Sequence, residues 1–155
     1  MDKTIAVIGA GLIGRAWAMV FARAGWTVRL TDSNAGQLAS ARAFIAASLD
    51  EQRQYGLVAD ARAALARIEL AATIESAVAD ADWVQENLPE KVEVKRDVFA
   101  LLDRHARPDA VLASSTSAIP ASRFTESLTG RAPPRLFGAC RQTARAEPSS
   151  APRRD

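Results

Sequence analysis

The feature that most constrains this chain is a glycine-rich turn placed directly behind a short apolar run. The run covers residues 4–8, and Gly9, Gly11 and Gly14 follow it. Gly9 permits a tight turn, because a residue without a Cβ adopts dihedral angles that other residues avoid. Gly11 lets the backbone come close to a pyrophosphate, and Gly14 lets the next helix pack closely. A strand, a glycine turn and a helix in this order predict a dinucleotide site.

The helix expected over residues 12–24 begins with Leu12 and Ile13. Its free backbone N–H groups and the positive end of its dipole would face the phosphates. Asp32 ends the next apolar run, residues 26–31. A carboxylate there accepts hydrogen bonds from both hydroxyls of an adenine ribose and repels a 2′-phosphate, so the pattern favours NAD over NADP. The alternative is a glycine turn in an α/β domain that binds nothing, with Asp32 as an ordinary turn residue.

Length and composition indicate one domain with a substantial core. The chain has 155 residues, of which 48% are hydrophobic. No apolar run approaches the roughly 20 residues that a membrane span requires. The first predicted strand begins almost at once, without the pattern of a signal peptide, and the single cysteine, Cys140, cannot form an internal disulfide. We therefore expect a cytoplasmic protein that does not bind membranes.

The charge is unevenly distributed along the chain. Of the 20 basic and 18 acidic residues, four arginines and two acids follow Phe137, which leaves sixteen of each sign before it. A neutral body argues against a nucleic-acid-binding protein, which normally presents a basic face. One histidine and one cysteine also make a metal site improbable, since such sites need several ligands of these types.

Strand-like and helix-like segments alternate along the chain. This alternation predicts an α/β fold of the Rossmann type, a doubly wound parallel sheet covered by helices on both faces. Right-handed crossovers then give the strand order 3-2-1-4-5. The five predicted strands are residues 4–8, 28–31, 68–71, 83–86 and 110–114.

The helix after the second strand is longer than a nucleotide-binding unit needs. Residues 35–53 and 58–66 form a helical pair, separated by the break at Gly56. Insertions of this kind often carry substrate contacts or interfaces, although the pair could equally just lengthen the crossover. Further helices are expected over 74–80 and 90–105. The apolar stripe predicted to face the core from the first helix is Ile13, Ala16, Trp17, Val20, Phe21 and Ala24.

The last part of the chain differs in character. We place the folded domain at residues 1–137 and a disordered tail rich in Ala, Arg, Pro and Ser at 138–155. After Phe137 there is no Val, Leu, Ile, Met or aromatic residue, so the tail cannot bury enough surface to offset its ordering entropy. At most residues 135–139 could imitate a sixth strand. An unfilled sheet edge favours self-association, and we expect dimers or larger species.

Four stretches of the sequence together indicate a family: residues 8–18, 85–90, 94–99 and 114–117. In these stretches the chain resembles the NAD-binding half of 3-hydroxyacyl-CoA dehydrogenases, and within that superfamily the lambda-crystallin (L-gulonate 3-dehydrogenase) branch. The resemblance covers about residues 3–131. It implies an NAD-dependent oxidation of an L-3-hydroxy group, with an acyl-CoA or a hydroxy acid as the small-molecule substrate, and a homodimer.

The resemblance also implies roles for matching residues. Gly9, Gly11, Leu12 and Gly14 would hold the pyrophosphate and Asp32 the adenosine ribose, in agreement with the motif.

Towards the other end of the cofactor, Glu90 and Lys95 match the family's glutamate and lysine near the nicotinamide. The alternative for this pair is an acid in the first turn of a helix and a solvated lysine. Their five-residue offset would then place the two side chains on different faces of that helix. Ser117 matches the serine that hydrogen-bonds the substrate's 3-oxygen. The residues before it, 114–116, would then be loop residues that bond to the backbone, and the alternative is that the whole Ser/Thr run is a turn.

Removal of the hydroxyl proton needs a general base, and in the family this is a histidine about twenty residues beyond the serine. That position falls near Gly138, where no histidine lies. The single histidine, His105, stands near the end of a predicted helix, and we expect it to be structural. The resemblance ends before the family's C-terminal substrate domain, which we expect to be missing. We therefore expect a truncated product, with a frameshifted end, that is inactive alone. The alternative is a regulatory or structural, crystallin-like module without catalysis.

Overall fold

The structure is a computed structural model, and it describes residues 3–126 and residue 128. A single parallel sheet of five strands forms its centre, in the order β3-β2-β1-β4-β5. This order confirms the predicted Rossmann-type fold. The strands are β1 (Thr4–Ile8), β2 (Thr27–Thr31), β3 (Ile68–Leu70), β4 (Trp83–Glu86) and β5 (Val111–Ser114).

Within residues 3–126, six helices cover the two faces of this sheet. They are α1 (Leu12–Arg23), α2 (Ala35–Gln54), α3 (Ala61–Ala66), α4 (Ile74–Val78), α5 (Val92–His105) and α6 (Ser122–Thr125). Alternate residues of β1 divide the core, because successive side chains of a strand point to opposite faces. Ile5 and Val7 pack with α1, α2 and α3, whereas Ala6 and Ile8 pack with α4, α5 and α6.

The strand register brings four chain segments to one edge of the sheet. Ile8 pairs with Thr31 on one side and with Glu86 on the other, and Glu86 pairs with Ser114. The carboxyl ends of β1, β2, β4 and β5 therefore lie level with one another. The strand order reverses between β1 and β4, which is where open α/β sheets bind their ligands.

The inward face of α1 differs from the predicted apolar stripe. The buried residues are Gly14, Ala18 and Ala22, while Ile13 and Val20 are 53% and 51% exposed. Small residues face the sheet because the helix axis lies close to it. Trp17 and Phe21, which are half-buried, pack at the side of this narrow contact. In α2 the apolar spacing predicts an inward side of Leu38, Ala41, Ile45 and Leu49; the last three are buried and Leu38 is partly buried against the same core.

Two helices begin later than predicted, each for a local reason. The start of α3 is set by Asp60, whose side chain accepts a hydrogen bond from the backbone N–H of Ala63. The start of α5 is Val92 rather than Glu90. Pro89 precedes it in a turn where the Lys91 N–H donates to the Pro89 carbonyl over 2.7 Å. Glu90 is consequently outside the helix.

Several predictions fall on residues that the structure does not describe. They are the domain boundary at 137, the disordered tail at 138–155, and a sixth strand at 135–139. Within residues 3–126, no helix combines the length and the apolar character needed to cross a bilayer.

Candidate functional site

The glycine-rich turn joins β1 to α1 and two of its glycines are required by the fold itself. Gly9 has a φ of +96°, a left-handed conformation that favours glycine, and its N–H donates to the Thr31 carbonyl over 2.8 Å. A methyl group added to Gly14 would lie 1.8 Å from the Gly9 carbonyl oxygen. Gly14 therefore allows the first turn of α1 to sit directly on the glycine-rich turn.

Gly11 is different, because nothing in the fold requires a glycine there. Its φ is −68°, which any residue adopts. A methyl group on it would meet only the Gln37 side-chain nitrogen, at an ordinary 3.6 Å. A side chain would therefore fit in the space beside Gly11, in ordinary contact with Gln37. The close approach of a pyrophosphate to the backbone does require a glycine, so the turn fits a dinucleotide.

The N-terminus of α1 is open towards the same space. Its N-cap residue, Gly11, has no side chain to cap the helix, whereas side chains cap α2, α3 and α4. Leu12 is 73% exposed and Ile13 is also exposed. The first N–H groups of α1 and the positive end of its dipole are therefore available to an anion.

Asp32 follows β2 and lies against the turn. One carboxylate oxygen, Oδ2, accepts hydrogen bonds from the Ala10 N–H over 2.7 Å and from Gln37 Nε2 over 3.2 Å. The other, Oδ1, accepts from the Asn34 N–H over 2.8 Å. A carboxylate has about four acceptor positions, of which three are used here, so Oδ1 keeps acceptor capacity for a ribose hydroxyl. The structure thereby places Asp32 beside the predicted pyrophosphate site.

A buried ion pair lies at the carboxyl end of β4, on the face that α5 covers. Glu86 is 0% exposed and Lys95 is 1% exposed. The Lys95 ammonium donates to both oxygens of Glu86, over 3.0 Å and 2.9 Å, and the Ser114 hydroxyl donates to the same carboxylate. The Leu88 N–H is a third donor, at 2.6 Å, and brings the hydrogen bonds to Glu86 to four. All the groups of this pair are satisfied, which a buried charge requires.

Lys95 was predicted as a candidate site residue, but its partner Glu86 was missed. The available signal is that β4 ends in two polar residues, Gln85 and Glu86, although both faces of a parallel sheet are covered. The expectation that a five-residue offset separates Glu90 from Lys95 is wrong. Glu90 precedes α5, so its carboxylate reaches within 3.7 Å of the Lys95 ammonium. The alternative of a solvated lysine is wrong as well.

Glu90 holds the loop that carries Ser117. Its Oε1 accepts hydrogen bonds from the Thr116 hydroxyl over 2.6 Å and from three successive N–H groups, of Ser117, Ala118 and Ile119, over 2.9–3.1 Å. Partial burial acts to raise the pKa of Glu90, but these donors outweigh it and lower the pKa to about 2. Glu90 is therefore ionised at neutral pH and fixes the loop after β5.

Ser117 itself is exposed at this edge of the sheet, next to Glu90. The expectation that residues 114–116 bond to the backbone holds in part: the Ser114 hydroxyl accepts from the Thr116 N–H and the Thr116 hydroxyl bonds the Ile119 carbonyl, but most of their hydroxyl bonds are to side chains. The Ser114 hydroxyl donates to Glu86, and that of Ser115 donates to Asn87. The structure thus brings Glu90, Lys95 and Ser117 together, on the other side of β1 from Asp32.

His105 lies far from this edge. It ends α5, which starts beside the carboxyl end of β4 and leads back to the beginning of β5. A helix of this length spans roughly 20 Å, so His105 is at the opposite edge of the sheet. It is exposed there. The lone histidine of the sequence therefore cannot act as a base in the site formed by Glu90 and Ser117.

Comparison with known proteins agrees with this geometry. Residues 4–139 match the family described as "3-hydroxyacyl-CoA dehydrogenase, NAD binding domain". A 3-hydroxyacyl-CoA dehydrogenase of Gibberella moniliformis is 36% identical over 80% of this chain and 38% of its own length. An L-carnitine dehydrogenase of Streptomyces griseus is 39% identical, over 76% of this chain and 35% of that protein. A lambda-crystallin homolog of Rattus norvegicus is 35% identical over 78% and 39%.

A solved structure is similar as well. The 3-hydroxybutyryl-CoA dehydrogenase of Escherichia coli K12 superposes with a TM-score of 0.80 at 31% identity, and the match covers 89% of this chain and 29% of that one. The chain thus spans less than two fifths of the length of the curated relatives it matches. From the family match and the fold, this chain belongs to the 3-hydroxyacyl-CoA dehydrogenase family and comprises its NAD-binding domain.

Proposed function

We propose that this chain binds NAD along the carboxyl edge of its sheet, for hydride exchange with an L-3-hydroxy substrate. In this proposal Asp32 holds the adenosine ribose. Its negative charge disfavours a 2′-phosphate and so selects NAD over NADP. The pyrophosphate lies on backbone groups of the glycine-rich turn and of the start of α1, at Gly9, Gly11, Leu12, Ile13 and Gly14.

The observation that carries the proposal is a glycine at position 11 that the described part of the fold does not itself require. A fold that needed only a turn would tolerate a side chain at this position, since the nearest atom is 3.6 Å from an added methyl group. The uncapped start of α1 and the carboxylate of Asp32 border the same space, the latter 2.7 Å from the Ala10 N–H. The glycine and the helix start suit a pyrophosphate, and the carboxylate suits a ribose. A dinucleotide contains both groups.

The nicotinamide half then extends over the ends of β4 and β5. There the Ser117 hydroxyl contacts the substrate's 3-oxygen, to which it donates or from which it accepts as that oxygen changes between alcohol and ketone. Glu90 keeps the Ser117 loop in place through its bonds to three N–H groups of the loop. Lys95 contributes from beneath, since its ammonium lies 2.9 Å from Glu86 and 3.7 Å from Glu90 and offsets part of their combined negative charge.

NAD, when bound, supplies the hydride acceptor. The residues of this chain bind and orient the reactants, but removal of the hydroxyl proton needs a base beside Ser117. His105 is at the far edge of the sheet, so we propose that this chain by itself turns over little or no substrate. Loss of a general base alone removes roughly 10²–10⁴ in rate.

The substrate class follows from what the relatives' names have in common. Both 3-hydroxyacyl-CoA and L-carnitine carry a hydroxyl two carbons from a carboxyl or thioester carbon. We propose an L-3-hydroxy acid or its thioester as the substrate class, with a base supplied by a further segment or a partner chain.

A second candidate function is an NAD-binding module with a regulatory or structural role and no catalysis. The distance of His105 from the site favours it. Addition of the substrate domain of a relative separates the two candidates: the catalytic proposal expects that turnover appears, and the second expects NAD binding without turnover.

Isothermal titration of the chain with NAD tests the proposed site. We expect binding by the wild type and at least an about tenfold weaker affinity for Asp32→Ala, because charge-assisted hydrogen bonds to the ribose are lost. Asp32→Asn keeps one acceptor oxygen without the charge, and should narrow the preference for NAD over NADP.

Asp60→Ala is the matched control. Asp60 is also an acid that accepts a backbone hydrogen bond, from Ala63 at the start of α3, but it lies away from the proposed site. Its replacement should leave NAD affinity unchanged. A wild type that binds no NAD at millimolar concentration, or an Asp32→Ala variant with wild-type affinity, would contradict the proposal.

A further inference from the structure

The Ser115 hydroxyl lies at the centre of a second polar cluster, on the face of the sheet that α1 covers. It accepts hydrogen bonds from the Trp17 indole N–H over 3.1 Å and from Gln85 Nε2 over 3.0 Å, and it donates to Asn87 Oδ1 over 2.6 Å. We name these four residues the Ser115 cluster. The hydroxyl has one proton and two lone pairs, so its hydrogen-bonding capacity is fully used.

This cluster is separate from the Glu86–Lys95 pair. Gln85 and Glu86 are neighbours in β4 and point to opposite faces, as do the equivalent neighbours Ser115 and Ser114 at the end of β5. Glu86 and Ser114 meet Lys95 under α5, whereas Ser115 joins Gln85 to Trp17 of α1. The two clusters are therefore held by different helices.

The Ser115 cluster is joined directly to the glycine-rich turn. Asn87 donates from its backbone N–H to the Ile8 carbonyl over 2.8 Å, and its side-chain Nδ2 donates to the Gln85 carbonyl over 3.0 Å. The Asn87 carbonyl oxygen lies 2.9 Å from the place where a methyl group on Gly9 would stand. Trp17 is on the second turn of α1, the helix whose N-terminus faces the proposed pyrophosphate.

The cluster therefore connects the start of α1 behind the glycine-rich turn, the end of β4 and the end of β5, beside which the nicotinamide half would lie. The adenosine half is assigned to β2 through Asp32 and the pyrophosphate to the turn after β1, so the rest of the dinucleotide continues towards the ends of β4 and β5. Asn87 and Ser115 are the residues that directly follow these ends.

We propose that Ser115 and Trp17 are positioning residues for the nicotinamide half of NAD, and that they act by fixing Asn87 and the loop after β5 relative to the glycine-rich turn. This inference depends on the proposed NAD site. It predicts a specific pattern: the loss of the Ser115 hydroxyl weakens the binding of the whole dinucleotide, but not of a ligand that ends at the pyrophosphate.

The test compares NAD with ADP, which contains only the adenosine and phosphate half, on a matched pair of variants. Ser115→Thr keeps the hydroxyl, and Ser115→Val has the same shape as that variant with a methyl group in place of the hydroxyl. Titration calorimetry should give Ser115→Val an NAD affinity about three- to tenfold below wild type, the usual effect of one lost neutral hydrogen bond. Its ADP affinity should change less than about twofold, and Ser115→Thr should resemble the wild type with both ligands.

A merely structural role gives a different result, since general loosening of the fold weakens NAD and ADP binding alike. Equal losses for the two ligands, or an unchanged NAD affinity in Ser115→Val, would overturn the inference. A wild type that binds neither ligand would refute the proposed function instead. If circular dichroism shows that Ser115→Val does not fold, Trp17→Phe replaces it, because that variant removes the indole N–H that donates to Ser115. The inference then requires the same selective loss of NAD affinity in Trp17→Phe.

Discussion

The different demands on Gly14 and Gly11 lead to a paired prediction about stability and binding. Gly14→Ala would place a methyl carbon 1.8 Å from the Gly9 carbonyl oxygen, where about 3.3 Å is the normal limit for such a contact. The carbonyl cannot rotate away, because Gly9 is held at φ +96° and its N–H bonds Thr31. The start of α1 would have to move by roughly 1.5 Å to restore that distance.

The cost can be estimated from known overpacking effects. Alanine gains up to about 1 kcal/mol over glycine in a helix, while a forced shift of packed elements costs about 1–3 kcal/mol and occasionally more. Since the new methyl group meets a backbone carbonyl, we expect the upper end, a cost of about 3 kcal/mol, which leaves a net loss of about 2 kcal/mol after the helix gain. For a domain of this size this lowers Tm by about 7 °C.

Gly11→Ala is the matched control, because its methyl group meets no atom closer than 3.6 Å. We expect its free energy of unfolding to stay within about 1 kcal/mol of wild type, the range of N-cap effects. Its NAD affinity should nevertheless fall by at least about tenfold, since the methyl group occupies the approach to the pyrophosphate. Thermal melts and calorimetric titrations measure both variants. A Gly14→Ala protein that melts within 2 °C or so of wild type, or a Gly11→Ala protein with normal NAD binding, would refute this reasoning.

Three further predictions concern other parts of the molecule. Lys95→Met leaves the Glu86 carboxylate buried and unpaired, and should cost about 3–5 kcal/mol in urea unfolding, whereas the double variant with Glu86→Leu should recover much of that loss. The pKa of Glu90 is about 2 in the folded state, below its unfolded value, so its contribution to stability is present above the unfolded pKa and is lost as the pH falls towards 2. Glu90→Gln should therefore lose less stability than wild type when the pH is lowered below about 4.5. An equal dependence of stability on pH in the two proteins would count against the assignment. Light scattering should find dimers or larger species, and Leu57→Ser, at an exposed apolar residue beyond α2, should reduce them; a monodisperse wild-type monomer is the contrary result.

Much of the fold could be predicted because its signals are local. The apolar run at 4–8, the glycine turn and the acid at 32 identify one β-α-β unit from a short stretch of sequence, and the handedness of the crossovers then determines the strand order. The inward face of α1 could not be predicted in this way. The spacing of apolar residues does not tell how far the helix axis lies from the sheet. The close contact at Gly14 shows that the axis is near the sheet, so that small residues face it.

The site was harder to predict, for a physical reason. A glutamate and a lysine nine positions apart normally lie in solvent, and no periodicity indicates that Glu86 and Lys95 are both buried. Their pairing depends on the depth of α5 against β4. Likewise, the meeting of Glu90 with Lys95 depends on the turn at Pro89, which delays the helix. Both facts arise from packing between elements and not from any one segment.

The alternation of polar residues at the ends of β4 and β5 has a consequence for how the chain reaches a single structure. If β4 slipped by one position against its neighbours, Glu86 would turn into the layer beneath α1, away from Lys95, and Gln85 would replace it under α5. The mispaired sheet would then contain two isolated buried charges, each of which costs several kcal/mol. An apolar strand would tolerate that slip far better, so the ion pair excludes the wrong alignment more than it strengthens the right one.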